Sequence, residues 1–137
     1  MLVHKTKIPV RFGDTDPYGV VYFVAYFRYF HEGIEEFLSH IGITPGNFFR
    51  NTEEKFGMPK VAADCRFFVP AFYGDVLEMH TSIKEMKEKA VVFQFHFYRP
   101  PETRLMAEGS VSFVCIDHTW KSRPLPEVLV EKIKENS

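Results

Sequence analysis

Asp14 and Asp16 stand two residues apart in the stretch Phe12-Gly13-Asp14-Thr15-Asp16-Pro17-Tyr18-Gly19, just ahead of the aromatic-rich run from Val20 to Phe30. A carboxylate in such a place can attack an electrophile or take a proton from water. It can also be an ordinary turn former, because Asp side chains bond the backbone two residues on. The run that follows adds a second chemical element. From Phe23 the apolar residues recur at Phe23, Tyr26, Phe27, Phe30, Ile34, Phe37, Leu38 and Ile41, with Arg28, Glu32, Glu35, Glu36 and Ser39 on the opposite side. This is the spacing of one long helix. A helix leaves its first N–H groups unpaired, and Ser, Thr, Asp or Asn normally caps them. No such residue stands at Gly19, Val20, Val21 or Tyr22, so the positive helix end is left open toward an oxyanion, with Asp14 or Asp16 folded back near it. On the residues alone the two aspartates are interchangeable, and Asp-Thr-Asp-Pro reads first as a turn.

Other constellations carry less. His31-Glu32-Gly33-Ile34-Glu35 holds the first half of the zinc pattern H-E-x-x-H, but glutamate replaces the second histidine and no third ligand follows, so no metal is expected. Asp14-Thr15-Asp16 lacks the glycine and terminal glutamate of a calcium loop. His80 and His96 fall on the polar positions of strand patterns. There is no G-x-S-x-G elbow, phosphate loop or G-x-G-x-x-G, so serine-nucleophile and nucleotide-cofactor chemistry lose their usual marks and no cofactor is implied.

The elements that must position these groups follow from periodicity. Residues 3–11 read as a first strand ended by Gly13 and the turn formers up to Gly19, and Gly42 with Pro45 stops the helix. Thr44-Pro45 opens a short second helix toward Arg50, and residues 51–57 read as loop. Beyond Gly57 the period is two: Pro59 to Val69, Leu77 to Lys84, Val91 to Tyr98 and Leu105 to Cys115 are strands, with turns at Pro70–Asp75, Lys87–Lys89 and Arg99–Thr103. The C-terminal PEVLVEKIKEN is at most a short amphipathic helix. Strand, long helix, then four strands is an α+β order, and a five-stranded antiparallel sheet wrapped around the helix buries the aromatic stripe.

Composition sets the outer limits. A chain of 137 residues, 45% hydrophobic and 16% aromatic, suits one domain over 1–137 with a real core. Its formal charge of -1 supplies no field for a nucleic-acid backbone. No apolar run approaches a membrane span and the N-terminus has no leader pattern, so a soluble protein is expected. Cys65 and Cys115 lie in apolar strand patterns without C-x-x-C spacing, as two buried thiols of a reducing compartment, with the cytoplasm as default.

The segment Phe12-Gly13-Asp14-Thr15-Asp16-Pro17-Tyr18-Gly19-Val20-Val21-Tyr22, continuing to Tyr26, resembles the signature of the hotdog-fold 4-hydroxybenzoyl-CoA thioesterase family. Phe72-Tyr73-Gly74-Asp75-Val76-Leu77, Val114-Cys115-Ile116-Asp117 and Arg123-Pro124-Leu125-Pro126 resemble its Tol-Pal-associated acyl-CoA thioesterase branch. The resemblance implies a hotdog fold and hydrolysis of an acyl-CoA thioester. It also implies a homodimer or homotetramer with active sites at the subunit interface. It assigns the catalytic carboxylate to Asp16 and leaves Asp14 to brace the turn. The thioester carbonyl is placed against the backbone N–H at or beside Phe23, with Tyr22 and Tyr26 lining the cleft, and Phe23, Tyr26, Met58 and Val61 suit either an aromatic or an aliphatic acyl group. Many Tol-Pal-associated members carry histidine at the position of Phe23, whereas the hydroxybenzoyl type carries an aromatic residue, as here.

A lone carboxylate suffices for such a reaction, because the leaving thiol, with a pKa of about 8.5, departs as thiolate without a strong general acid. Lys84, Lys87 and Lys89 cluster at one turn, and Lys87, Lys89 and Arg123 are the implied contacts to the CoA phosphates, from the same or a neighbouring subunit. The same lysines, interleaved with Glu85 and Glu88, also read as a solvated turn. Two other classes stay open. A hotdog hydratase or dehydratase would use a histidine with a carboxylate, His31 and Glu35 being the nearest pair, and a non-catalytic acyl-CoA-binding protein would need no reacting group.

Overall fold

The sequence alternates between two periods, and the structure, a computed structural model that describes residues 1–136, follows them. In chain order the elements are β1 (His4–Pro9), a single 3-10 turn (Phe12–Asp14), α1 (Phe23–His40), α2 (Pro45–Phe49), β2 (Arg50–Asn51) and β3 (Phe56–Gly57). They continue with β4 (Lys60–Phe67), β5 (Val76–Met86), β6 (Ala90–Tyr98), β7 (Ala107–Val114), β8 (Ile116–Asp117) and α3 (Glu127–Glu135). The main sheet has the order β1-β5-β6-β7-β4, and every neighbouring pair is antiparallel.

The inward residues of the central strands, Leu77, Met79, Val91, Phe93, Phe95, Phe97, Val111 and Phe113, are buried against the apolar stripe of α1. Phe30 stacks on Phe95 at 4.4 Å and Phe37 meets Phe93 edge-on at 5.6 Å. Close approach of helix and sheet requires Gly109, where a Cβ would run into the Phe30 ring and the Asp64 carbonyl. The helix ends in a Schellman motif: Gly42 takes φ +85, its N–H donates to the Ser39 carbonyl, and the Ile43 N–H donates to that of Leu38.

One expectation needs correction. Residues 51–57 are not simply loop: β2 and β3 pair with each other, and β3 pairs with β8, which lies 60 residues on. Two-residue strands have no periodicity, and their long-range pairing leaves no local mark. The C-terminal segment is a docked helix with Leu129 and Ile133 buried in the same core. No helix among the described residues is long and apolar enough to cross a membrane.

The two edges of the main sheet differ. β1 shows Lys5, Lys7 and Pro9 to solvent, the kind of edge that resists further pairing. β4 pairs only with β7, and along its free side Val61 is 59% exposed and Phe67 is half exposed. The two ends differ as well. β5 runs from Val76, beside the turn that carries Asp14 and Asp16, to Met86, beside Lys87. At roughly 3.3 Å per residue these ends lie about 33 Å apart.

Candidate active site

The Asp14–Tyr22 segment is a tight hairpin. The Tyr22 N–H donates to the Asp14 carbonyl, the Asp16 N–H to the Val20 carbonyl, and the Gly19 N–H to the Asp16 carbonyl. Pro17-Tyr18-Gly19 thus forms a three-residue loop in which proline suits the first turn position and Gly19 takes the left-handed φ of +79. The hairpin docks on the β4–β5 connection through Val21 N–H to the Ala71 carbonyl. That connection is itself closed by Asp75, whose Oδ2 accepts the Phe72 N–H and an Arg99 guanidinium N–H, each at 2.8 Å. The motif from Phe72 to Leu77 therefore serves the architecture, as the seat on which the hairpin rests.

Asp14 lies at the floor, only 5% exposed. Its Oδ1 accepts a hydrogen bond from Arg28, and its Oδ2 accepts the Tyr29 hydroxyl at 2.8 Å and the Arg11 N–H at 3.1 Å. Burial pushes this carboxyl up, but the bonds from Arg28, Arg11 and Tyr29 outweigh it and hold Asp14 below the ordinary carboxylate range. Burial and the bond to Asp14 together push the Tyr29 hydroxyl well above its usual value. Asp14 is thus a fixed anion tying the hairpin to the second turn of α1. Arg28 and Tyr29 are the residues that sequence reasoning missed. Their partner is 14 and 15 positions upstream, and Arg28 looked like one more charge on the polar face of the helix.

Asp16 lies at the rim, half-exposed. Its Oδ1 accepts the Tyr18 N–H at 2.9 Å in an Asx turn, which orients the carboxylate, while Oδ2 has no hydrogen-bond partner among the described residues. Beside it α1 begins without a side-chain cap. The Tyr22 N–H is committed to Asp14, but the N–H groups of Phe23 and Val24 have no partner among the described residues. An oriented carboxylate on the hairpin thus stands just ahead of free donors at the start of α1, the combination that acyl transfer uses for attack and for oxyanion stabilisation.

The remaining expected residues divide. Tyr22 and Phe23 are exposed, with their rings 4.7 Å apart, and offer an aromatic surface at the helix start. Tyr26 does not: it is 2% exposed and packed edge-on against Phe67 and Phe97, so in one protomer it is part of the core. Met58 is buried too, at the wall of a cavity near the other end of the sheet, and Val61 is on the open β4 edge. The structure brings Lys87, Lys89 and Arg123 to one end: the Cys115 N–H donates to the Lys89 carbonyl and the Arg123 N–H to the Cys115 carbonyl. Lys87 stands 3.8 Å from Glu85, and Arg123 lies over the Phe56 ring at 5.7 Å. This end is the one remote from Asp16 within a single protomer.

Both thiols are poor nucleophiles, because burial raises Cys65 to about 12 and raises Cys115 as well. His31 and Glu35 form an i,i+4 pair at 2.9 Å, with the imidazole stacked on Phe49. Among the described residues no three metal-ligating side chains converge.

Residues 10–133 match the thioesterase-like superfamily. A 1,4-dihydroxy-2-naphthoyl-CoA hydrolase of Acaryochloris marina is 34% identical over 127 residues, which cover 91% of each chain. The crystal structure of a 1,4-dihydroxy-2-naphthoyl-CoA thioesterase from Synechocystis superposes with a TM-score of 0.88 at 28% identity, covering 97% of this chain and 96% of that one. A 4-hydroxybenzoyl-CoA thioesterase structure, at 24% identity, shares the fold with a TM-score of 0.83 over 96% of this chain and 98% of that one.

Proposed function

The chain belongs to the thioesterase-like superfamily and is an acyl-CoA thioesterase, and within that activity we propose that it hydrolyses an aromatic acyl-CoA with Asp16 as the reacting carboxylate. The observation that carries this reading is the uncommitted Asp16 Oδ2 on the hairpin that leads directly into the unpaired N–H groups of Phe23 and Val24 at the start of α1. As nucleophile, Asp16 adds to the thioester carbon, CoA leaves as thiolate, and water cleaves the resulting anhydride to release the acid and restore the carboxylate. As general base, it takes the proton of a water that adds to the same carbon. Both routes put negative charge on the carbonyl oxygen, where the Phe23 N–H donates. The aromatic surface of Tyr22 and Phe23, and relatives named for naphthoyl-CoA hydrolysis, favour an aryl group over a fatty chain.

The open β4 edge fits antiparallel pairing with the same strand of a second copy. Such pairing reverses strand direction across the boundary. It sets the Lys60 end of one protomer beside the Phe67 end of the other, and Phe67 packs on Tyr26 near the helix start. Lys87, Lys89 and Arg123, at the end of the sheet remote from Asp16 in their own protomer, thereby come toward the Asp16 of the second one. This delivers phosphate contacts to a site that one chain leaves incomplete. A panel of acyl-CoAs assayed for free thiol tests the reading: naphthoyl and benzoyl types should exceed aliphatic acyl-CoAs by at least about tenfold in kcat/KM, which is roughly 1.4 kcal/mol. Faster turnover of a long aliphatic chain would overturn it.

A further inference from the structure

Trp120, the chain's single tryptophan, is 76% exposed on the turn after β8. Its φ is 68, a conformation glycine adopts freely and a bulky side chain rarely does. The turn is held firmly: Asp117 Oδ1 accepts the Thr119 N–H, the Thr119 hydroxyl and the Lys121 N–H, and the Trp120 N–H donates to the Asp117 carbonyl. A large flat side chain is thus fixed in solvent where glycine would suit the backbone better, and packing gives no reason for it.

The indole borders a cavity of about 580 Å³ whose wall also includes Phe56, Met58, Arg50 and Lys55. Neither Arg50 nor Lys55 makes an ion pair among the described residues. The one carboxylate in the same wall, Asp117, gives Oδ1 to its own turn, and the two cations outnumber its charge. An exposed indole face with two uncommitted cations around one cavity complements a purine ring carrying phosphates, through stacking and charge. The cavity lies next to the start of β4, at the end of the sheet that β4 pairing sets beside the second protomer's Asp16.

We propose that Trp120 is the stacking platform for the adenine ring of CoA, with Arg50 and Lys55 on its phosphates, serving the Asp16 of the adjoining protomer. This rests on the acyl-CoA reading above. With one tryptophan in the chain, intrinsic fluorescence reports this site alone. Titration of the wild-type protein with adenosine 3′,5′-bisphosphate should quench it saturably, and joint replacement Arg50→Ala and Lys55→Ala should raise the midpoint about tenfold. Trp120→Gly should raise KM for an aryl-CoA about tenfold and leave KM for the matching aryl-pantetheine thioester in place. Its urea midpoint should not fall, since glycine suits the φ. Absence of quenching at millimolar bisphosphate, or an equal KM change on both thioesters, overturns the proposal. Quenching without thiol release from any acyl-CoA supports the nucleotide site and overturns the hydrolase reading instead.

Discussion

The floor and the rim of the Asp14–Tyr22 hairpin use the same residue type for opposite ends. At the floor, Asp14 is buried, three donors converge on its carboxylate, and its charge is fixed by Arg28 and Tyr29. At the rim, Asp16 is half-exposed and keeps one oxygen free beside free N–H groups. A fully satisfied carboxylate adds rigidity, whereas one oriented through a single oxygen retains the capacity to react. The contrast is made by long-range partners and not by the local sequence, which places both aspartates in one turn.

Proline is tolerated at the first helical position, so Phe23→Pro removes the proposed oxyanion donor with little harm to α1. It should lower kcat by about 10²–10³-fold, while Phe23→Ala, which keeps the N–H, should lower it far less; equal losses would assign the effect to the ring. Asp14→Ala should cost about 3 kcal/mol in urea unfolding, since it strips three hydrogen bonds from a buried anion. Because Asp14 is held below its unfolded value of about 3.9, its contribution is present above that pH. It is lost as pH falls through the folded value, so the gap between wild type and Asp14→Ala should close below about pH 4. A gap constant from pH 7 to 3 would show that the anion contributes nothing. Tyr29→Phe, which removes one donor from the same carboxylate, should cost about 1 kcal/mol and leave thiol release nearly intact.

Much of the frame was legible because burial imposes periodicity. The stripe from Phe23 to Ile41 marked α1 to within one residue, and the alternation from Val91 to Phe97 marked β6 with its inward face. The missing helix cap was legible as well, since it depends only on which residues precede Phe23. What depended on distant pairing was not: β3 finds its partner β8 only in the folded chain, and nothing near Asp14 announces Arg28 and Tyr29. Tyr26 shows the same limit from the other side, because a helix position next to the proposed cleft turned out to face Phe97. Trp120 was invisible to motif reading, since its meaning lies in an exposure and a φ angle.

The most direct test is the rate of thiol release by Asp16→Asn at saturating aryl-CoA. A fall of at least about 10³-fold is expected with an unchanged urea midpoint, because the Asp16 side chain makes only the local bond to the Tyr18 N–H among the described residues. A variant that keeps a rate within about tenfold of wild type would contradict it.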